Sequence, residues 1–205
     1  MKKIGIMGGT FDPIHIGHLL LGQIAYESFD LDEVWFLPNG NPPHKDAEIN
    51  QKALDHRIDM VELAIENVPH FRLSLHEAKL NQHSYTYETM REFNKMYPNT
   101  EFYFILGADS LFSIEQWKYF KEIFPTCIIL AAMRDDKDRD DMEAQISYLH
   151  ETYDANIKLL RAPLLEISST TIRERARDGL SVSYMVTDEV ADYINKNNLY
   201  KEDKK

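Results

Sequence analysis

The chain has 205 residues, of which 43% are apolar, and its formal net charge is −11 because 34 Asp and Glu outnumber 23 Lys and Arg. That acidity argues against broad binding to nucleic acid or to an anionic membrane, and we therefore expect a small-molecule site. A chain of this length can bury one core, so we expect one domain over residues 1–205. No apolar run reaches the roughly 18 residues of a membrane span and no signal peptide is recognisable, so we expect a cytoplasmic location.

Strand-like and helix-like stretches alternate along the chain. The predicted strands are residues 2–7, 33–37, 71–75, 101–106, 126–133 and 157–160. The predicted helices are residues 19–29, 51–67, 84–96 and 110–124, a helix start within the charge-rich stretch 134–143, a helix opening near residue 167 and a last helix capped by Thr187. This order favours an α/β fold with a Rossmann-like, doubly wound parallel sheet, whose ligands bind beyond the carboxyl ends of the strands. A small C-terminal helical part covers about 168–200, and we expect residues 201–205 to fray.

The first predicted strand runs into the sequence GGTFDPIHIGH, the most informative stretch of the chain. A turn with two glycines lets the backbone amides of Gly8, Gly9 and Thr10 approach an anion, and the following helix adds unpaired N–H groups. His15 and His18 emerge on roughly one face of that helix and become charged donors beside a polyphosphate. Local packing of one histidine and a zinc pair are the alternatives, but no second cluster with ligand spacing supports zinc.

A second informative stretch, ISSTTIR, opens another helix roughly 150 residues further along the chain. Its hydroxyl groups and its guanidinium suit an outer phosphate, and they belong to Ser168, Ser169, Thr170 and Arg173. The alternative is an ordinary helix cap, since Thr171 and Glu174 have capping-box spacing. The two stretches share one site only if the sheet folds as predicted.

Other polar residues follow predicted strands and should reach the same edge of the sheet. The sequence Gly107, Ala108, Asp109 ends the fourth strand, and Arg134 ends the fifth. Asp109 suits a ribose hydroxyl or a metal-bound water, and an N-cap for the next helix is the alternative. The single Cys127 lies in an apolar strand and is expected to be a small core residue.

Taken together, GGTFDPIHIGH and ISSTTIR resemble the two nucleotide signatures of the nucleotidylyltransferases with an HxGH motif, which here is His15, Ile16, Gly17 and His18. A Walker A loop is excluded because no GK[ST] follows the glycines. From residue 3 to about 200 the chain most resembles the bacterial nicotinate mononucleotide adenylyltransferases. Beyond the signatures, the resemblance includes NPPHK at 41–45, SYTYET at 84–89 and the surroundings of Trp117.

The resemblance implies transfer of AMP from ATP to nicotinate mononucleotide, with release of pyrophosphate. The implied catalytic residues are His15, His18 and Arg173. The implied ATP-binding residues are Gly8, Gly9, Thr10, Phe11, His15, His18, Gly107, Asp109, Ile167, Ser168, Ser169, Thr170 and Arg173. The implied nicotinate mononucleotide-binding residues are Thr10, Asn39, Lys45, Thr86, Asp109, Trp117, Tyr119 and Arg134. Mg²⁺ is the implied cofactor, held mainly by substrate phosphates and water.

Several alternatives stay open at this point. The acceptor is nicotinate mononucleotide or another phosphate monoester, such as phosphopantetheine or nicotinamide mononucleotide. A module that senses nucleotides without turnover is the alternative from another class. Trp117 at helical spacing also suits a core position, and Lys45 suits a mobile surface position. The sequence does not determine the oligomeric state and allows a homo-oligomer.

Overall fold

A computed structural model describes residues 1–40, 47–79, 84–133, 139–163 and 165–201, with only the backbone of 47–52. The NPPHK loop at 41–45, the first part of the charge-rich stretch and most of the predicted C-terminal tail lie outside these ranges. No helix among the described residues is long and apolar enough to cross a membrane.

The described residues form one parallel sheet of six strands in the order β3-β2-β1-β4-β5-β6. The strands are β1 (Lys2–Gly9), β2 (Glu33–Pro38), β3 (Phe71–Leu73), β4 (Thr100–Gly107), β5 (Ile128–Met133) and β6 (Ile157–Arg161). Strands buried on both faces need apolar side chains at successive positions, which is why β1, β4 and β5 are continuous apolar runs. The predicted α/β class with a doubly wound parallel sheet is confirmed.

Helices cover both faces of the sheet, so its two faces carry separate hydrophobic clusters. The helices are α1 (Ile16–Ser28), α2 (Ala47–Ile65), α3 (Thr86–Met96), α4 (Ala108–Phe112), α5 (Arg139–Tyr153), α6 (Ser169–Arg177) and α7 (Asp188–Lys196). Buried residues of α1, α2, α6 and α7 pack on one face, and those of α3, α4 and α5 pack on the other. Cys127 is buried, as predicted.

The helix predicted for residues 110–124 is wrong. After α4 the chain forms the 3₁₀ helices Ile114–Gln116, Phe120–Glu122 and Phe124–Thr126. The Ser113 hydroxyl donates to the Asp109 carbonyl at 2.7 Å, an alternative to continued helix, and Tyr119 adopts a left-handed φ of 51°. Apolar residues of this segment, such as Ile114 and Ile123, are fully buried, so tertiary packing overrides helical propensity here.

The two predicted helix caps have different outcomes. The Thr171 and Glu174 capping box is wrong, because Ser168 caps α6 and its hydroxyl accepts from the Thr171 amide at 3.1 Å. Thr187 caps α7 as predicted, and its hydroxyl accepts from the Val190 amide at 3.4 Å. A cap belongs to the residue just before the first helical turn, and that position depends on where tertiary contacts start the helix.

Candidate active site

The two histidines of the HxGH motif form one unit at the start of α1. Their rings stack with centroids 3.7 Å apart and an interplanar angle of 27°. The His15 amide donates to His18 Nδ1 at 3.3 Å, and the His15 ring is only 8% exposed. Phe11 is buried and packs edge-on against the His18 ring, 5.1 Å between centroids. Phe11 therefore contacts the imidazole pair rather than lying at the surface.

Glycines provide the space for these rings. A side chain on Gly17 would place its Cβ 3.0 Å from His15 Nδ1, which is tighter than ordinary van der Waals contact. A Cβ on Gly9 would likewise lie 3.0 Å from the Phe11 ring. Gly17 therefore lets the His15 ring lie directly against the backbone of α1, and Gly9 does the same for the Phe11 ring.

The two distant signatures meet, as the sequence predicted. The Arg173 guanidinium donates to the Asp12 carbonyl at 2.7 Å, and the Ser169 hydroxyl donates to the Pro13 carbonyl at 2.9 Å. Both carbonyls belong to the loop between β1 and α1. The N-terminus of α6 is thereby fixed beside the glycine-rich turn and the histidine pair. Thr170 is exposed at the same helix end, and its hydroxyl accepts from Arg173 at 3.2 Å.

A cleft of about 150 Å³ is lined by both signatures. Its polar side contains His15, His18, Ser168 and Ser169. Its apolar side consists of Leu20, Leu21, Pro163, Leu165 and Ile167. An apolar wall next to groups that are predicted to bind phosphate suits a flat base joined to a polyphosphate. Apart from Ile167, sequence reasoning missed this wall, although the apolar run before ISSTTIR was a readable signal.

A buried arginine that sequence reasoning also missed supports the ends of β1 and β2. Arg57 of α2 is 5% exposed and donates to the Thr10 carbonyl at 2.6 Å. It also donates to the Asn39 side-chain oxygen at 3.1 Å and to the Asn39 carbonyl at 2.9 Å. The Asn39 amide group donates to the Thr10 hydroxyl at 3.3 Å. The sequence signal for a buried arginine was its position within the apolar stripe of α2, between Leu54 and Val61.

Aromatic side chains gather where the acceptor residues were predicted. Trp117 is half-buried, with its ring edge-on to Phe104 at 6.2 Å between centroids. A Cβ on Gly8 would lie 3.9 Å from the same Phe104 ring, in ordinary contact. Tyr119 packs against Tyr87 of α3 with centroids 4.9 Å apart. The segment that contains Tyr119 therefore lies next to α3.

Thr86 begins α3, and a buried carboxylate stabilises this helix end. Glu77 accepts from the Ser84 hydroxyl at 2.9 Å and from the Thr89 hydroxyl at 2.7 Å. Burial raises the pKa of the Glu77 carboxyl, while these two hydrogen bonds oppose the shift. The first turn of α3 is thus held in place, and Tyr87 in this turn packs against Tyr119.

Asp109 lies in the first turn of α4, and Gly107 is the residue that caps this helix. The Asp109 carboxylate is exposed and makes no cap hydrogen bond, so the N-cap alternative is wrong. Lys45 and Arg134 fall outside the described residues. A larger cleft of about 570 Å³ over α2 and β3 contains none of the predicted site residues. The binding roles of the individual residues stay predictions.

The fold and the site together define a nucleotidylyltransferase. The family model for cytidylyltransferase-like proteins matches residues 6–175, a range that contains both signatures. The chain therefore belongs to the cytidylyltransferase-like family.

Similar proteins narrow this assignment. The chain is 46% identical to a probable nicotinate-nucleotide adenylyltransferase of Lachnoclostridium phytofermentans, over 98% of this chain and 100% of that protein. It is 40% identical to one of Clostridium novyi, again over 98% and 100%. Such identity over full length makes the chain a member of the nicotinate-nucleotide adenylyltransferases.

The fold is also found in a solved structure. The Plasmodium falciparum nicotinic acid mononucleotide adenylyltransferase, complexed with NaAD, superposes with a TM-score of 0.77 and 23% identity over 98% of both chains. At this identity the likeness supports the fold, and the assignment to the family rests on the sequence relatives.

Proposed function

We propose that the chain transfers AMP from ATP to nicotinate mononucleotide, giving nicotinate adenine dinucleotide and pyrophosphate in NAD biosynthesis. One observation carries the proposal: the histidine pair at the start of α1 and the hydroxyl groups at the start of α6 line one cleft. A triphosphate needs donors on several sides, and neither signature provides them alone. The reaction joins two anions, so the donors also have to screen their mutual repulsion.

The chemistry requires positioning more than acid–base catalysis. A phosphate monoester is already largely ionised near neutral pH, so the acceptor phosphate can attack the α-phosphorus in line without a strong general base. The bond to pyrophosphate breaks as the new phosphorus–oxygen bond forms, and no covalent bond to the protein is needed. Catalysis then consists of alignment and of stabilising the charge on the phosphoryl oxygens.

The donors have separate tasks in this reaction. His18, half-buried beside Phe11, contacts the α-phosphate. His15 and the α6 residues Ser169, Thr170 and Arg173 hold the β- and γ-phosphates and stabilise the leaving pyrophosphate. The apolar wall of the cleft receives the adenine base, and Asp109 accepts from a ribose hydroxyl.

The acceptor binds beside Trp117 and the start of α3. Trp117 stacks on the pyridine ring, and Thr86 with the amides of the first turn of α3 receives the carboxylate. A carboxylate gains more than a neutral amide from the positive end of a helix, which favours nicotinate over nicotinamide mononucleotide.

Mg²⁺ belongs to the proposal as the ion that accompanies ATP. The side chains assigned to the phosphates are imidazoles, hydroxyl groups and a guanidinium, which suit phosphate oxygens. The nearby Asp12 carboxylate accepts a hydrogen bond from Tyr200 and lies 4.0 Å from Arg173. Phosphate oxygens and water would therefore provide most of its coordination, and the ion would supply charge neutralisation. A cytoplasmic location remains part of the proposal.

An acceptor panel tests the function. The chain is incubated with ATP, Mg²⁺ and either nicotinate mononucleotide, nicotinamide mononucleotide, phosphopantetheine or no acceptor, and pyrophosphate and the product mass are measured. We expect fastest release with nicotinate mononucleotide and a product of the dinucleotide mass. Faster release with another acceptor would contradict the substrate assignment, and ATP binding without release from any acceptor would favour a nucleotide-sensing module.

A further inference from the structure

The loop between β1 and α1 is held from outside by side chains of other elements. Three carbonyls of the loop accept such hydrogen bonds: the Thr10 carbonyl from Arg57, the Asp12 carbonyl from Arg173 and the Pro13 carbonyl from Ser169. Since this loop carries the phosphate-binding turn, its conformation decides whether donors and phosphates align.

The C-terminal segment adds a fourth contact to the loop. The Tyr200 hydroxyl, from the opposite end of the chain, donates to Asp12 Oδ1 at 2.7 Å. The other Asp12 oxygen lies 4.0 Å from an Arg173 nitrogen. Burial, followed by the Asp12 carboxylate, raises the pKa of the Tyr200 hydroxyl, so it remains protonated and able to donate. Asp12 therefore connects the loop to both α6 and the C-terminal segment.

Arg57 connects the same loop to Asn39, a residue predicted to bind the acceptor. Its guanidinium contacts the Thr10 carbonyl and both oxygens of Asn39, so it joins the carboxyl ends of β1 and β2. Burial lowers the pKa of this guanidinium and the nearby Asp12 carboxylate raises it, but an arginine keeps its charge in either case. The side chain thus places a fixed, buried cation under the phosphate loop.

We propose that Arg57 and Tyr200 are positioning residues that hold the phosphate loop in its substrate-binding conformation, Arg57 through Thr10 and Asn39 and Tyr200 through Asp12. The proposal rests on the proposed function, because it assigns this loop to ATP. Neither side chain is assigned a contact with substrate. Each acts through a residue of the loop or of the end of β2.

The chain offers a matched control for Tyr200. Tyr193 lies on the preceding helix α7, and its hydroxyl donates to the Asp59 carboxylate at 2.5 Å. Tyr200→Phe and Tyr193→Phe each remove a tyrosine–carboxylate hydrogen bond from the C-terminal part. Tyr200 contacts the phosphate loop directly, whereas the Tyr193 hydroxyl contacts α2, through Asp59 and, at 2.8 Å, through His56 Nδ1. A purely structural role predicts equal effects, whereas a positioning role predicts an effect of Tyr200→Phe alone.

The measurement is the dissociation constant of ATP with Mg²⁺ by titration calorimetry, alongside kcat and KM. For Tyr200→Phe we expect about 10-fold weaker ATP binding at unchanged stoichiometry, because the loop samples misaligned conformations. Tyr193→Phe should remain within about twofold of the unsubstituted chain. A loss of folded protein would instead lower the stoichiometry and leave the dissociation constant unchanged. Equal dissociation constants for the two variants would overturn the role of Tyr200.

Arg57→Lys separates geometry from charge. Lysine keeps the positive charge but lacks the planar guanidinium that donates to Thr10 and Asn39 at the same time. We therefore expect kcat/KM to fall by about 100-fold for both substrates. Arg72→Lys is the control, because Arg72 donates to the carbonyls of Pro69 and Phe71, away from the loop. Near-normal kcat/KM in a folded Arg57→Lys variant would overturn the role of Arg57. If that variant does not fold, Arg57→Gln with added guanidinium replaces it, and absence of rescue overturns that role.

Failure of the proposed function is distinguishable from failure of this inference. If the unsubstituted chain releases no pyrophosphate with any acceptor, the function is wrong. The calorimetric comparison of Tyr200→Phe with Tyr193→Phe still decides whether the C-terminal segment positions the ATP-binding loop.

Discussion

Substitution of Gly17, the glycine of the HxGH motif, should lower activity with little change in the stability of the fold. In Gly17→Ala the new Cβ would lie 3.0 Å from His15 Nδ1 and 3.1 Å from His15 Cε1. Ordinary contact begins at 3.4 Å, so the His15 ring has to move by about 0.4 Å. Because the His15 and His18 rings stack at 3.7 Å, the displacement reaches both imidazoles.

The free energy of unfolding should change little. Alanine is favoured over glycine within a helix by up to about 1 kcal/mol, and displacing one ring from its rotamer costs about 0.5–1.5 kcal/mol. The two terms nearly cancel. A misplacement of about 1 Å can cost about 100-fold in rate, so a shift of a few tenths predicts roughly a 10-fold loss of kcat/KM, or about 1.4 kcal/mol of transition-state stabilisation.

Pyrophosphate release with ATP and nicotinate mononucleotide measures the activity, and thermal unfolding measures the stability. Gly22→Ala is the control, because its Cβ would lie 3.1 Å from Phe36 and 3.2 Å from Phe71, in the core rather than at the histidines. Overpacking at these rings should cost about 1–3 kcal/mol of stability, of which the helix preference of alanine offsets up to about 1 kcal/mol, and turnover per folded molecule should be unchanged. Unchanged kcat/KM in Gly17→Ala, or a loss explained by unfolding, would refute the reasoning.

Three further predictions follow from the site. His18→Ala should keep the fold and lower turnover by about 10²- to 10³-fold, the scale for a lost preorganised donor, and near-normal turnover would reject that role. Trp117→Ala should raise KM for nicotinate mononucleotide more than for ATP, since only the pyridine ring stacks there, and equal changes in steady-state assays would count against it. Burial raises the pKa of Glu77 above its ordinary 4.5, so its stabilising contribution is present below that value and is lost as the pH rises through the raised pKa. Glu77→Gln should therefore gain stability relative to the unsubstituted chain as the pH rises from about 4 to 7 in denaturant titrations, and a pH-independent difference would contradict this sign.

The sheet and the position of the two signatures were predictable because their signals are local. Buried parallel strands are continuous apolar runs, and the glycine-rich turn with two histidines needs only adjacent residues to be recognised. The family resemblance of ISSTTIR also implied that Arg173 would reach this turn, on condition that the sheet folded as predicted. The hydrogen bonds of Arg173 and Ser169 to the loop confirm that geometry.

What the sequence did not predict depends on contacts between distant residues. The segment around Tyr119 does not form its predicted helix, because tertiary packing overrides its helical propensity. Arg57 reads as one charge in an amphipathic helix, and its role emerges only when Thr10 and Asn39 are placed beside it. Tyr200 belongs to a C-terminal segment with no signal of its own, although its partner Asp12 lies within the first signature.

In the proposed mechanism both signatures bind one triphosphate at the same time, and a crystal structure with an α,β-methylene analogue of ATP shows whether they do. We expect the α-phosphate beside His18 and the outer phosphates beside Ser169 and Arg173, with the base against the apolar wall of the cleft. Density for the analogue in the larger cleft over α2 and β3, or phosphates contacting only one signature, would contradict it.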